Sequence, residues 1–290
     1  MKARQFVLGM GLALGAVFAC MHVQAAARLP LHAKLRLYNT RQSASDLEIG
    51  GELAGVPPGE TRFVTYKDLL ALPQESYRVV DDPNFDHPVQ IGGVALDKLP
   101  ALLGAAPAAD MMIAICDDQY DAHYPAEYLK QHHPLLVLKI DGKPPAQWPK
   151  GSGPYMVSHP DFKPAFQVLS HADEAQVPWG VVRLDLRHET RVYAAIAPHS
   201  HDPRVQQGYR IARQSCFRCH SNAGEGGLKS SRSWGVIARR SVADPQYFDA
   251  YVRNPRKLNP ATQMAASPGY DDATLEALRA YFKEFSGSRP

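Results

Sequence analysis

Apolar and polar positions between about Leu47 and Leu186 alternate over short stretches, without one long period. Strand-like runs such as "MMIAIC" (111–116) are separated by short helix-like segments such as "LDKLPALLG". An Asp-Gly pair at Asp141 and Gly142 is typical of a tight turn between strands. There is no repeated strand–helix unit and no phosphate-binding glycine fingerprint. This pattern predicts an α+β fold rather than a doubly wound sheet.

Three helices are predicted after residue 200, each with an apolar stripe at helical spacing. The first leads directly into residues 216–220, the second lies between Asp244 as N-cap and Pro255, and the third begins at Asp271 or Asp272. Short helices joined by long loops bury little core, so we expect a large apolar prosthetic group to complete it. The stripes are, in chain order, Val205, Gly208, Tyr209 and Ala212; Tyr247, Phe248, Tyr251 and Val252; and Leu275, Leu278, Phe282 and Phe285.

The N-terminus has the pattern of a secretory signal peptide. Lys2 and Arg4 precede the uncharged run "FVLGMGLALGAVFACM", which is short for a membrane span, and small residues follow at 25–27. We predict that residues 1–26 are the signal peptide, and that the mature chain is periplasmic without a transmembrane segment. The alternative is a lipoprotein anchored through Cys20.

Charge is divided unevenly along the chain. The total is +3, but residues 201–290 contain 14 Lys/Arg against 8 Asp/Glu, which leaves −5 for residues 28–200. We predict two domains, an α+β domain over 27–200 and an all-α domain over 201–290, joined by the linker "APHSHDPR". Two interpretations of the basic half stay open: chance variation among solvated surface residues, or a docking face for an acidic redox partner, because complementary charge steers encounter. Nucleic-acid binding is not indicated, since the basic residues are neither clustered nor interleaved with aromatic residues.

The stretch "CFRCH" at 216–220 limits the functions that the basic half can have. Two thiols at this spacing suit a redox disulfide, half of a zinc site or a covalently attached haem. A zinc site needs further Cys or His ligands, but none follows His220, and a thioredoxin-like pair needs βαβ surroundings that 221–230 does not provide. We therefore predict one haem c, attached through Cys216 and Cys219, with His220 as an axial ligand to its iron.

Met264 is the candidate for the second axial ligand. It is the only methionine after the motif, and it lies in a loop bounded by Pro260 and Pro268. Methionine ligation raises the reduction potential, which favours electron transfer over ligand binding. The alternative is bis-histidine ligation by a linker residue, His199 or His201.

The segment from about Pro203 to Phe285 resembles the small single-haem cytochromes c with His/Met ligation. The resemblance rests on the pair Gly208 and Tyr209, on CFRCH, and on "NPATQM" before the last helix. It implies that the first and last helices cross at Gly208, against Tyr281 or Phe282. At "GGLKSS" the sequence departs from the family, whose members often have a proline carbonyl that holds the haem histidine. The partner of that histidine is therefore left open.

The order of elements before residue 200 resembles the molybdopterin-binding domain of the sulfite oxidase family. The similar pieces include "VTYKDLLALP", "AICDDQYDAHYP", "GSGPYMVSHP" and a final strand that starts at Trp179. In catalytic members of this family a cysteine thiolate binds molybdenum, and Cys116 is the available thiol. Asp117 and Asp118 follow it and would repel an anionic pterin phosphate. We therefore predict a version without molybdopterin, in which Cys116 is a buried strand thiol.

Together these patterns predict a periplasmic c-type cytochrome that carries one electron, with an N-terminal docking or recognition domain. Two alternatives stay open. One is a molybdenum-dependent oxidoreductase that passes substrate electrons to its own haem, and the other is a haem-based sensor. Molybdenum content would distinguish the oxidoreductase, and carbon monoxide binding at an open sixth position would distinguish the sensor.

Overall fold

The computed structural model describes residues 34–80, 82, 84–148, 153–160 and 176–287. The predicted signal peptide and Cys20 lie outside these residues. The strands are β1 (Leu47–Gly51), β2 (Arg62–Val64), β3 (Glu75–Val79), β4 (Val89–Ala95), β5 (Met111–Cys116), β6 (Asp121–Pro125), β7 (Leu135–Ile140), β8 (Tyr155–Ser158) and β9 (Trp179–Arg187). The α-helices are α1 (Tyr66–Leu70), α2 (Leu99–Leu103), α3 (Ala126–His132), α4 (Glu189–Ala194), α5 (Pro203–Ser215), α6 (Trp234–Ala243), α7 (Pro245–Arg253), α8 (Pro255–Leu258) and α9 (Asp272–Lys283).

The strands join into one mixed sheet. Its order over the described residues is β2-β1-β9-β8-β7-β4-β3, and β5 pairs with β9 and β6. β1 runs parallel to β9, whereas the remaining pairs are antiparallel. The longer helices follow the sheet in the chain instead of alternating with its strands. The sheet and its short helices confirm the predicted α+β class for this part of the chain.

Alternate residues of β5 belong to two apolar clusters. Met112, Ala114 and Cys116 lie in the cluster that fills the sheet half, whereas Met111 and Ile113 lie in a second cluster with side chains of the later helices. A strand places successive side chains on opposite faces, so β5 contributes to both. The largest fully buried members of the second cluster are Phe217, Trp234, Tyr281 and Phe282. One apolar core therefore crosses residue 200, and separate folding of the two halves stays a prediction.

Helices α7 and α9 begin at the N-cap residues that the sequence predicts. Asp244 accepts the amide N–H of Tyr247 at the start of α7, and Asp271 accepts that of Thr274 at the start of α9. α6 was not predicted, because Gly235 and a pair of arginines interrupt its apolar face. Trp234, its first residue, is nevertheless fully buried. Among the described residues no helix is both long and apolar enough to cross a bilayer.

The predicted stripe of α7 is only partly buried. Phe248 lies in the second apolar cluster, whereas Tyr247 is exposed and stacks on Tyr251. By contrast, the stripe of α9 is buried at Leu275, Leu278 and Phe282, as its spacing predicts. Helix α9 thus supplies more of the shared core than α7 does.

Gly208 lies where α5 and α9 cross. A Cβ atom at this position would lie 2.0 Å from the carbonyl oxygen of Ala277 and 2.6 Å from the Cβ of Tyr281. The crossing at Gly208 is therefore confirmed, and it selects Tyr281 over Phe282 as the facing side chain. Only a residue without a side chain allows this approach of the two backbones.

Gly208→Ala is expected to lower the free energy of unfolding by about 1–3 kcal/mol, because the helices must separate to admit the methyl group. Gly269→Ala is the matched control, since a Cβ there meets nothing within 4 Å. Thermal and denaturant unfolding of both variants tests this expectation. Unchanged stability of Gly208→Ala would show that the crossing can relax without loss.

Candidate functional site

The end of α5 presents the motif at 216–220 as one compact turn. The amide of Cys216 still donates to Ala212 at 2.9 Å, and the amides of Cys219 and His220 both donate to the carbonyl of Cys216, at 3.1 Å and 3.0 Å. Cys216 and Cys219 are half-buried, and no disulfide joins them. The turn therefore brings the three predicted site residues of the motif together.

The imidazole of His220 is oriented by a backbone carbonyl. Its Nδ1 lies 2.8 Å from the carbonyl oxygen of Arg232, which can only accept a hydrogen bond. Nδ1 therefore carries the proton, and the lone pair of Nε2 is left for a metal ion. Burial lowers the pKa of His220, which favours this neutral form. The partner that the sequence left open is thus Arg232.

Two glycines let the following loop pack against the turn. A Cβ at Gly227 would lie 1.9 Å from the carbonyl oxygen of Arg218, and one at Gly226 would lie 2.5 Å from the ring of Phe217. The amide of Gly227 donates to the carbonyl of Phe217 at 2.9 Å. The loop therefore runs closely along the motif before it returns at Arg232. The two glycines of "GGL" therefore allow this close approach.

Aromatic side chains support the turn from inside. Phe217 is fully buried and meets Trp234 edge-on, with ring centroids 5.5 Å apart. The amide of Trp234 also donates to the carbonyl of Ser221 at 3.0 Å, next to the motif. Trp234 continues the contact to Phe282, at 5.0 Å between centroids. The motif is therefore fixed to both α6 and α9.

Met264 lies in a separate loop between α8 and α9. It is half-buried, and its amide donates to Thr262 Oγ1 at 3.3 Å. That hydroxyl oxygen also accepts a hydrogen bond from Tyr251, at 3.0 Å, so the loop is tied to α7. His199 and His201, the alternative ligands, are exposed in the linker. Which of these residues coordinates iron stays a prediction.

Cys116 has the surroundings expected of a structural thiol. It is 3 % exposed and belongs to the apolar cluster of the sheet half. Burial raises the pKa of its thiol, and Asp118, Asp117 and Asp121 raise it further. The predicted burial of Cys116 is therefore confirmed, and its environment disfavours the thiolate that a metal would need.

Three arginines on or just after β9 carry positive charge that would oppose the carboxylates near Cys116, but each of them is paired with a carboxylate. Arg183 binds Asp185 with two nitrogens, and the ion pairs of the other two arginines are Arg187–Glu225 and Arg191–Glu52. Tyr155 of β8 is fully buried, and its hydroxyl donates to the carbonyl of Ser45. These contacts favour structural roles for the three arginines and for Tyr155.

The donor set of the turn fits a covalently held haem. It offers two thiols outside any disulfide for thioether bonds, and one imidazole whose second nitrogen is already hydrogen-bonded. Among the described residues no three side chains of His, Cys, Asp or Glu converge as a metal site.

No family model matches the chain, and no curated protein matches it. Among solved structures, the chain is similar to the sulfane dehydrogenase SoxCD from Paracoccus pantotrophus, with 16% sequence identity and a TM-score of 0.34. The match covers 55% of this chain and 46% of that chain, so it spans less than half of the neighbour's length. We draw no conclusion about fold or function from a likeness of this size.

Sequence reasoning missed the groups that hold the motif in place. Arg232 is twelve residues beyond His220, and no local pattern marks its carbonyl as a partner. Arg218 was passed over as one of the two variable motif residues, yet it is buried. The paired glycines at 226 and 227 were the one available sign that the loop returns closely against the turn.

Proposed function

We propose that this protein is a periplasmic c-type cytochrome that carries single electrons between redox partners. Cys216 and Cys219 would hold the haem covalently, with His220 and Met264 as the axial ligands of its iron. Export through the predicted signal peptide, residues 1–26, agrees with this chemistry, because c-type haem is attached outside the cytoplasm.

The observation that carries the proposal is the geometry of the motif turn. Both thiols and the imidazole stand on one turn, and the His220–Arg232 hydrogen bond selects the tautomer that can bind iron through Nε2. A disulfide-exchange role requires only the two thiols and gives no reason for a histidine oriented in this way. Two thiols beside an oriented imidazole suit a permanently attached metal-containing group better than a transient disulfide.

When bound, the haem supplies an iron that gains or loses one electron. The protein's own residues would position it: the cysteines would fix its edge, and His220 keeps its proton on Nδ1 against Arg232. No proton has to move at His220 during the transfer. Phe217 and Trp234 keep water from the inner side of the turn, since both are fully buried.

The partner that we propose is a redox protein with an acidic face. Residues 228–258, which include the Arg232 support of His220, contain seven basic and two acidic residues. Large apolar side chains stand exposed in the same stretch: Leu228, Val242, Tyr247 and Leu258. Basic residues around exposed apolar ones suit a partner that is attracted electrostatically and held by brief apolar contact.

The test is a metal and spectral analysis of the full chain, expressed in a host that matures c-type cytochromes. We expect about one iron and essentially no molybdenum per chain, a c-type spectrum, and reversible one-electron reduction. Cys116→Ser should leave that spectrum unchanged, because the thiol lies in the opposite cluster. Stoichiometric molybdenum that disappears in Cys116→Ser would favour the oxidoreductase, and carbon monoxide binding would favour the sensor.

A further inference from the structure

Arg218, the third residue of CFRCH, is held at both ends by the sheet half of the protein. The residue is only 8 % exposed, and its Nη1 donates to the hydroxyl of Tyr120 at 3.0 Å. Its backbone carbonyl accepts the amide of Asp121, at 2.9 Å. A cation inside the motif is thus fixed by residues about a hundred positions earlier in the chain.

The β5–β6 turn, residues 117–120, also binds the loop that follows the motif. The carbonyl of Gln119 accepts the amides of Leu228 and Lys229, at 3.0 Å and 3.1 Å. Lys229 forms an ion pair with Asp118, and its Nζ lies 5.8 Å from the ring centroid of Tyr120. The turn therefore contacts the motif and its returning loop together, which prevents Arg218 from moving independently of Cys219.

The charge of Arg218 acts within an apolar interior. His123 of β6 is fully buried and packs edge-on against Phe217, with ring centroids 5.4 Å apart. Burial lowers the pKa of His123 to about 3, and among the charged groups Arg218 contributes most, ahead of Arg213 and Arg187. Because His123 is neutral at physiological pH, it adds no second positive charge beside Arg218. Fields inside a protein are screened much less than fields in water.

We propose that Tyr120 is a positioning residue that holds the buried guanidinium of Arg218 beside the haem-attachment turn, where its charge raises the reduction potential of the iron. The inference rests on the proposed function. Its physical reason is that the ferrous state has one positive charge fewer than the ferric state, so a nearby fixed cation favours reduction. The electron comes from the redox partner, and no bond is made or broken. The α+β half is then part of the electron-transfer site.

The test is a double-mutant cycle on the midpoint potential, measured on the full chain with Arg218→Gln, Tyr120→Phe and both changes together. Arg218→Gln should shift the equilibrium towards the ferric state on the order of tenfold, a drop of about 59 mV for one electron. Tyr120→Phe should give a smaller drop in the same direction. The double variant should fall no lower than Arg218→Gln, because Tyr120 acts through Arg218.

Two variants control for loss of charge and loss of a hydroxyl elsewhere. Arg204→Gln removes a cation that pairs with Glu276 at the exposed start of α5, and Tyr66→Phe removes a hydroxyl that binds the carbonyl of Leu138. Both should keep the wild-type potential. Arg218→Met serves if the buried glutamine prevents folding, since it fills the same space without charge.

Each result has one meaning. Unchanged potentials in haem-loaded Arg218→Gln or Arg218→Met would overturn the inference, as would drops in Tyr120→Phe and Arg218→Gln that simply add. An equal drop in Arg204→Gln would also overturn it, because any cation would then serve. A wild-type chain without haem would refute the proposed function itself, and so the two failures are distinguishable.

Discussion

A chain with Cys216→Ala and Cys219→Ala is expected to carry no covalently bound haem after expression in a host that matures c-type cytochromes. The loss should be complete, because both thioether bonds depend on these sulfurs. The measurement is haem-linked peroxidase staining after denaturing electrophoresis, together with the iron content of the purified protein. Each single variant should retain at most one thioether bond and give weaker staining.

Cys116→Ala is the matched control for this experiment. It removes the third free thiol of the described residues, which lies in the opposite cluster and is 3 % exposed. The variant should be less stable, by about 1–2 kcal/mol for a small buried side chain, but it should stain as strongly as the wild type. Covalent haem that survives the double variant, or that disappears in Cys116→Ala alone, would contradict the assignment of the motif.

Met264→Ala is expected to remove the weak near-red absorption band of the oxidised protein and to lower the reduction potential. The variant loses the thioether ligand, which favours the ferrous state. Haem reduction potentials span a range of roughly 0.8 V as the axial ligands differ. We therefore expect a drop that is a sizeable part of that range, larger than any change at Arg218. Optical titration of the oxidised and reduced forms provides both measurements.

Gln263→Ala is the control, since Gln263 is the exposed neighbour of Met264 in the same loop. It should keep the band and the potential. If Met264→Ala retains both, methionine ligation is wrong. His199→Ala and His201→Ala would then identify the ligand, because one of them should change the spectrum if the iron has two histidine ligands.

The parts of this protein that are governed by neighbouring residues could be predicted from the sequence. Asp244 and Asp271 cap their helices because a cap needs only an amide two or three residues away. The Asp141–Gly142 turn forms because both residues accept positive φ, at 49° and 75°. The site residues of CFRCH meet on one turn for the same reason, since their spacing alone brings them together.

Apolar spacing also predicted features that depend on a helix face. The buried stripe of α9 follows from the helical period, which needs no knowledge of the partner. The crossing of α5 and α9 at Gly208 was instead implied by the resemblance to the single-haem cytochromes c. α6 was missed because Gly235 and the adjacent arginines obscure its pattern, although Trp234 is fully buried. For α6, tertiary packing decided what local propensity did not.

What the sequence by itself determined, then, is the local chemistry: the donor set at Cys216–His220, the helix caps, and a buried thiol at Cys116. The tertiary structure alone decided how these groups are held, through Arg232 behind His220, Tyr120 on Arg218, and one apolar core shared across residue 200. The reason is physical. A cap or a motif turn is closed by bonds between near neighbours, whereas contacts between distant residues depend on sheet register and chain path, which no short stretch of sequence specifies.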